Sequence, residues 1–417
     1  MKNKLIRWWL EGVAILFFTF LLLPQQANAT AQWARKYQMN CQTCHTSFPR
    51  LTYFGEKFAR NGYQLPDTQD GDETKEAVGD HLFIDKIGNL LGMRISVSPV
   101  EATTNTLNID GSRKDFEFNF GDTKWLQFFT AGSIFKNASI FIETEIEPTA
   151  VHLNWFTLGY HNLFDSSLLN VRAGRISMMN WHAQSGRLRM IPNVNVASHR
   201  FRPSQGANRA VAEEPIRISS PVPGIELYGY REFFLYSVGV SNGEDMDDPN
   251  QYKNFFGTLR FDLPEGELAG SNISGWGMWG RDTVNSGAES TPIAQTRNTF
   301  YRLSPAVNVR WKGYDLIGAY VYGKEDNYNL VDPEVTNKSH GATGQLGYLI
   351  HPQWFAALQY DFVKDDQNSR DEFHKISESV SFMPRENMRI GLTLREDMKK
   401  PTTGRQHELL LNVRSMF

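Results

Sequence analysis

The chain has only two cysteines among 417 residues, which excludes a disulfide-stapled scaffold and a multi-cysteine zinc or iron–sulfur module. It also lacks a charge bias. The 43 lysines and arginines stand against 46 aspartates and glutamates, so nothing argues electrostatically for nucleic acid. Beyond the N-terminus there is no apolar run of about 18 residues, which excludes a helical membrane bundle. What the chain does have is 13% aromatic residues, 33 glycines and a mean hydropathy of −0.43. That leaves a large soluble β protein or an outer-membrane barrel.

Lys2, Lys4 and Arg7 form a positive start, Val13 to Leu23 is almost wholly apolar, and Ala27-Asn28-Ala29 is a small-x-small cleavage signal. Residues 1–29 therefore read as a secretory signal peptide with a mature start at Thr30. A membrane anchor is the competing reading, but the apolar run is short for a span of about 20 residues. Export without an anchor predicts the periplasm, the outer membrane or the exterior of a bacterium.

Both cysteines fall in Cys41-Gln42-Thr43-Cys44-His45, a C-x-x-C-H sequence. On a helical turn, residues i and i+3 share a face. Two thiols there can form thioethers to the two vinyl groups of one haem, and the adjacent histidine can ligate the iron. A thioredoxin-like pair would want a βαβ setting, and zinc would want more ligands nearby. The sequence thus predicts one covalent haem c, with Cys41 and Cys44 as thioether residues and His45 as proximal ligand. Phe48, Leu51, Phe54 and Phe58 then recur at helical spacing, and Asn61-Gly62 is a helix stop. Residues 30–66 are too few to enclose a haem alone, so the rest of the chain must cover it.

After a linker over 67–89, residues 90–417 alternate apolar and polar in short runs. Leu91, Met93, Ile95 and Val97 oppose Arg94, Ser96 and Ser98. Trp354, Ala356, Leu358, Tyr360 and Phe362 oppose Gln359 and Asp361. About 16 such runs predict an all-β fold, a transmembrane antiparallel barrel with apolar residues outside and polar ones inside. Connections alternate in length. Those at 136–138, 231–232, 312–313, 351–353 and 384–386 are short. Those at 99–124, 178–223, 243–252, 282–301, 325–339 and 364–375 are long, with 148–150 as the exception. Short periplasmic turns and long outer loops are the mark of such barrels, and the chain closes on Phe417 in a strand-like run.

This layout resembles the fused outer-membrane monohaem cytochrome c–porins, known best from iron-oxidising bacteria. At residue level the resemblance rests on Cys41, Cys44, His45, Pro49, Phe54-Gly55, Phe58 and Gly62-Tyr63. It implies a haem domain tucked against or into a porin, passing electrons from an extracellular donor, with Fe(II) as candidate, to a periplasmic carrier such as a soluble cytochrome. If the chain is an enzyme, it is then an oxidoreductase of the Fe(II):cytochrome c type. Lipid is the other expected partner, and nucleic acid is not one.

The sixth iron ligand stays open. His81 is the first candidate, between the haem segment and the first strand. Met178, Met179, His182, Met190 and His199 lie in the 178–223 connection, and Met93 falls on the expected lipid face. That connection also carries Arg187, Arg189, Arg200, Arg202, Arg209 and Arg217 against Glu213 and Glu214. A pore for small anionic solutes with an accessory haem segment is the second reading, although a solvated outer loop would account for most of these charges.

Overall fold

The computed structural model describes residues 31–71, 75–79, 82–107, 112–119, 122–147, 150–191, 218–219, 221–242, 252–286, 294–327, 335–367, 372–400 and 404–417. The wall is a closed antiparallel barrel of sixteen strands. In chain order they are β1 Leu91–Leu107, β2 Asp122–Phe135, β3 Ala138–Ile146, β4 Val151–Tyr160, β5 Asn170–Ser177, β6 Pro221–Tyr230, β7 Phe234–Ser241 and β8 Asn254–Asp262. Then follow β9 Asn272–Ser286, β10 Ala294–Trp311, β11 Tyr314–Glu325, β12 Asn337–His351, β13 Trp354–Asp365, β14 Phe373–Arg385, β15 Met388–Lys400 and β16 Gly404–Met416. Each strand pairs with its sequence neighbour, and β16 closes on β1, with Leu411 opposite Val100 and Met416 opposite Arg94.

Period-two alternation sorts the side chains as expected. Leu303, Leu316, Leu346, Leu358 and Leu392 face outward, whereas Gln345, Gln359, Asp361 and Thr393 are buried on the lumen side. Aromatic pairs flank the leucine band. At the short-turn end Tyr314 stacks on Tyr348 at 4.3 Å and Trp354 on Phe382 at 4.6 Å, and toward the other end Phe255 meets Trp279 at 6.0 Å. An apolar belt between aromatic girdles on a closed barrel is the surface a bilayer requires, and barrels of this kind sit in the bacterial outer membrane.

Several strands outrun the expected boundaries. The 99–124 connection is largely strand. β1 continues to Leu107, pairing there with an inserted strand at Arg113–Asn119, while its first half pairs directly with β2. Likewise β9 and β10 pair from Asn272↔Asn308 out to Ser286↔Ala294, through much of the supposed loop at 282–301. Backbone pairing persists above the membrane, where no lipid face enforces apolar alternation, so the pattern that marks a strand fades before the strand ends. The 148–150 exception is real: Glu147 and Ala150 exchange backbone hydrogen bonds across a tight link.

The N-terminal segment is a plug, not an appendage. It comprises α1 Gln32–Tyr37, α2 Cys41–Cys44, α3 Tyr53–Arg60 and α4 Ile87–Leu90, the last leading into β1. The helix expected to run from Phe48 is shorter than its periodicity suggests. His45–Ser47 and Arg50–Leu51 form a two-stranded turn around Phe48-Pro49, because proline removes a donor that a helix needs. Helix α3 begins after Thr52, whose hydroxyl accepts from Gly55 N at 3.1 Å.

Candidate functional site: the plug and the inward loop

The plug occupies the short-turn end of the barrel. Asn40 donates to Glu386 at 2.6 Å and Gln42 to Pro352 O, both on periplasmic-side turns. Deeper in, charges tie it to the wall. Arg50, fully buried, makes a paired contact with Asp315 and donates to Asn308 at 2.9 Å. Glu56 meets Arg260 at 2.5 Å and Arg310 at 2.6 Å, and Arg60 meets Asp262 at 2.8 Å. Burial alone would raise the Glu56 carboxyl, but Arg260, Arg310, Arg60 and Arg50 outweigh it and hold it at about 2. A polar chain adds to this. Tyr228 donates to Arg60 O at 2.9 Å and contacts His161 Nδ1 at 2.8 Å, and His161 Nε2 contacts Ser139 at 2.6 Å.

The aromatic residues after the C-x-x-C-H turn pack on the barrel wall. Phe58 and Tyr63 form a cluster with Phe129, Ala131 and Phe141, and Trp33 stacks on Tyr63 at 4.8 Å. Two glycines explain themselves. A Cβ on Gly55 would lie 2.3 Å from Cys44 O, so only glycine lets α3 run against the cysteine turn. Gly62 has φ +66 and its Cβ would meet the His161 ring at 2.3 Å.

The chemistry-bearing residues lie within this plug. Cys41 and Cys44 begin and end α2 as free thiols, Cys41 buried and Cys44 half-buried. Burial pushes both up to about 11, helped by Glu386 at Cys41 and by Cys41 at Cys44. His45 leaves the helix in extended conformation with its ring 4.2 Å from that of Phe48. Part of His45 reaches the surface, yet Nδ1 is buried and lacks a hydrogen-bond partner. Burial pushes the ring down to about 4, against the Pro49 and Arg50 backbone, so the imidazole is neutral, the form that ligates a metal. Two thiols one turn apart beside a neutral imidazole with one unpartnered nitrogen fit a c-type haem.

The other candidates are dispersed. His81 and His199 lie outside the described residues, as do Arg200, Arg202, Arg209, Arg217, Glu213 and Glu214. Met93 sits on the outward face of β1, between the exposed Leu91 and Ile95. The solvated-loop reading of 178–223 is overturned for residues 178–191, which fold into the lumen. Met178 and Met179 join Phe256, Trp276, Val321 and Val363 in an apolar cluster across the barrel, and Met190 packs with Phe355 and Met383. His182 uses both ring nitrogens, Nε2 on Ser304 O at 3.0 Å and Nδ1 on Gln184 N at 3.3 Å, which makes it a satisfied core histidine.

Plug and loop touch. Arg50 donates to Leu188 O at 3.1 Å, and Arg187 donates to Tyr63 at 3.0 Å with its guanidinium over the Tyr63, Phe141 and Trp155 rings. Sequence periodicity could not reveal this loop, because its partners lie on strands as far downstream as those of Val363 and Met383.

The fold is that of a porin-type outer-membrane barrel. Solved structures share it at low sequence identity: the anion-selective porin from Comamonas acidovorans (TM-score 0.55, 11% identity, covering 78% of this chain and 98% of that one), the DcaP channel of Acinetobacter baumannii (0.55, 10%, 79% and 96%), and OmpT of Vibrio cholerae (0.52, 8%, 82% and 99%). No protein-family model and no curated protein sequence matches the chain.

Proposed function

We propose that this chain conducts electrons across the outer membrane through one covalent haem c held by the plug inside the barrel. The observation that carries the reading is the Cys41–His45 turn itself: two thiols on one helical turn and a neutral imidazole with a buried, unpartnered nitrogen. Cys41 and Cys44 would anchor the group and His45 would ligate its iron. When bound, the haem supplies one-electron chemistry. The protein's own residues do the rest. Arg50, Glu56 and Arg60 fix the plug to the wall, and Phe58, Tyr63 and Trp33 keep water from its core.

The turn lies near periplasmic-side residues Glu386 and Pro352, which favours delivery to a soluble periplasmic cytochrome. An extracellular donor must approach through the outer lumen. Fe(II) is the candidate donor, losing one electron that passes inward, and outer-sphere transfer requires proximity but no acid, base or nucleophile. The test is to purify the protein, stain a denaturing gel for haem, then add Fe(II) and follow reduction spectroscopically. A stained band lost in the Cys41→Ala/Cys44→Ala variant is expected. Haem-loaded protein that stays oxidised with excess Fe(II), where transfer is downhill, removes iron as donor.

Arg187 and Arg189 on the inward loop favour a second reading, a pore for small anions. The apolar cluster across the lumen and the docked plug count against an open channel.

A further inference from the structure

On the lumen wall reached by the Cys41–His45 turn, two guanidinium groups face each other without an ion-pair partner among the described residues, with Glu143 acting on Arg414 only from a distance. Arg389 on β15 is fully buried. One Nη donates to Phe48 O, next to the His45 ring, and the other to Asn412 Oδ1 at 3.3 Å, while Nε has no partner. Arg414 on β16 is also buried, again with an unpartnered Nε. Arg94 on β1 and Arg189 on the inward loop lie close enough to both to add to the positive potential. The acids facing this wall are Glu143 and Glu145 on β3. Glu143 stands 3.5 Å from Arg94 and accepts from Gln127 at 2.6 Å, and Gln127 also reaches Glu145 at 3.4 Å. Among the described residues, neither Arg389 nor Arg414 has a carboxylate within ion-pair distance. A buried charge without a partner costs several kcal/mol, so two of them side by side mark a place where a ligand brings two negative charges.

We propose that Arg389 and Arg414 are positioning residues that receive the two propionates of the haem anchored at Cys41 and Cys44, and so fix its plane against the β15–β16–β1 wall. This rests on the haem reading above. Two carboxylates match two guanidiniums, and arginine suits them because its fork can grip a carboxylate through two hydrogen bonds. The positive pair also favours the reduced haem, since it stabilises the added electron.

The test uses the full-length protein with its haem, and the variants Arg389→Gln, Arg414→Gln and Arg389→Lys. A haem-stained denaturing gel reports attachment. Resonance Raman of the reduced protein reports the propionate bending bands, and potentiometric titration reports the midpoint potential. All variants should retain covalent haem. Both Gln variants should shift the propionate bands and lower the potential. The Lys variant should hold the potential near wild type while still shifting the bands, since it keeps charge but not the fork. Haem-loaded Gln variants that match wild type in bands and potential overturn the proposal and leave the pair as a site for some other anion. If the Gln variants fail to fold, the wild-type bands decide. They should not move across about pH 4 to 6, where exposed carboxyl groups titrate, and movement there overturns the assignment. A wild-type chain without covalent haem is a different failure, that of the functional reading itself.

Discussion

Arg50 on the plug and Asp315 on the wall form a fork-to-fork pair, Nε to Oδ2 at 2.5 Å and Nη2 to Oδ1 at 2.7 Å, with Arg50 fully buried. Breaking such a pair from one side strands a charge and costs about 3–5 kcal/mol. Asp315→Asn should therefore loosen the plug without dissolving the barrel. Limited proteolysis should cut the N-terminal segment faster than in wild type, while heat-modifiable gel mobility persists. An unchanged cleavage rate would show that the other anchors suffice.

A Cβ added at Gly55 would lie 2.3 Å from Cys44 O. Gly55→Ala should push the cysteine turn off α3 and reduce covalent haem severalfold on a stained gel. Gly88→Ala is the control, since its Cβ would meet nothing within 4 Å. Equal staining in the two variants would remove Gly55 from the site.

The barrel was legible in the sequence wherever lipid imposes alternation, as at Leu358 against Gln359. It was not legible at Glu101–Leu107, which pairs as strand beyond the belt without an apolar face. The cysteine turn was legible because its chemistry fixes its spacing. The plug's anchorage was not: Arg50, Glu56 and Arg60 look like surface charges on a short helix until Asp315, Arg260 and Asp262 are brought opposite them. The same holds for Met178 and Met190, whose burial depends on a lumen that only the closed barrel creates.

Glu56 supplies a pH dependence. Its folded carboxyl is held at about 2, below its ordinary 4.5, so its contribution to docking is full above pH 4.5 and declines as pH falls toward 2. Plug release, followed by proteolytic sensitivity after acid exposure, should rise over that window. In Glu56→Gln the contribution is absent at every pH, so the acid dependence over that window should flatten. A variant with an undiminished acid transition would assign it to another group.

The last prediction concerns passage through the barrel. Plug and inward loop meet in the lumen through Arg50–Leu188 and Arg187–Tyr63. Behind them Met178, Phe256, Trp276 and Val363 form an apolar cluster that reaches across the lumen and narrows it. Full-length protein in planar bilayers should therefore conduct poorly. Deleting residues 31–90 removes Arg50, Glu56 and Arg60 and exposes Arg389 and Arg414 on the emptied side. The truncated barrel, once its heat-modifiable mobility shows that it has folded, should conduct more and prefer anions, because arginines lining a constriction attract them. Equal, porin-like conductance in the full-length and truncated proteins would mean that the plug does not close the lumen. The anion-pore reading would then replace the electron conduit.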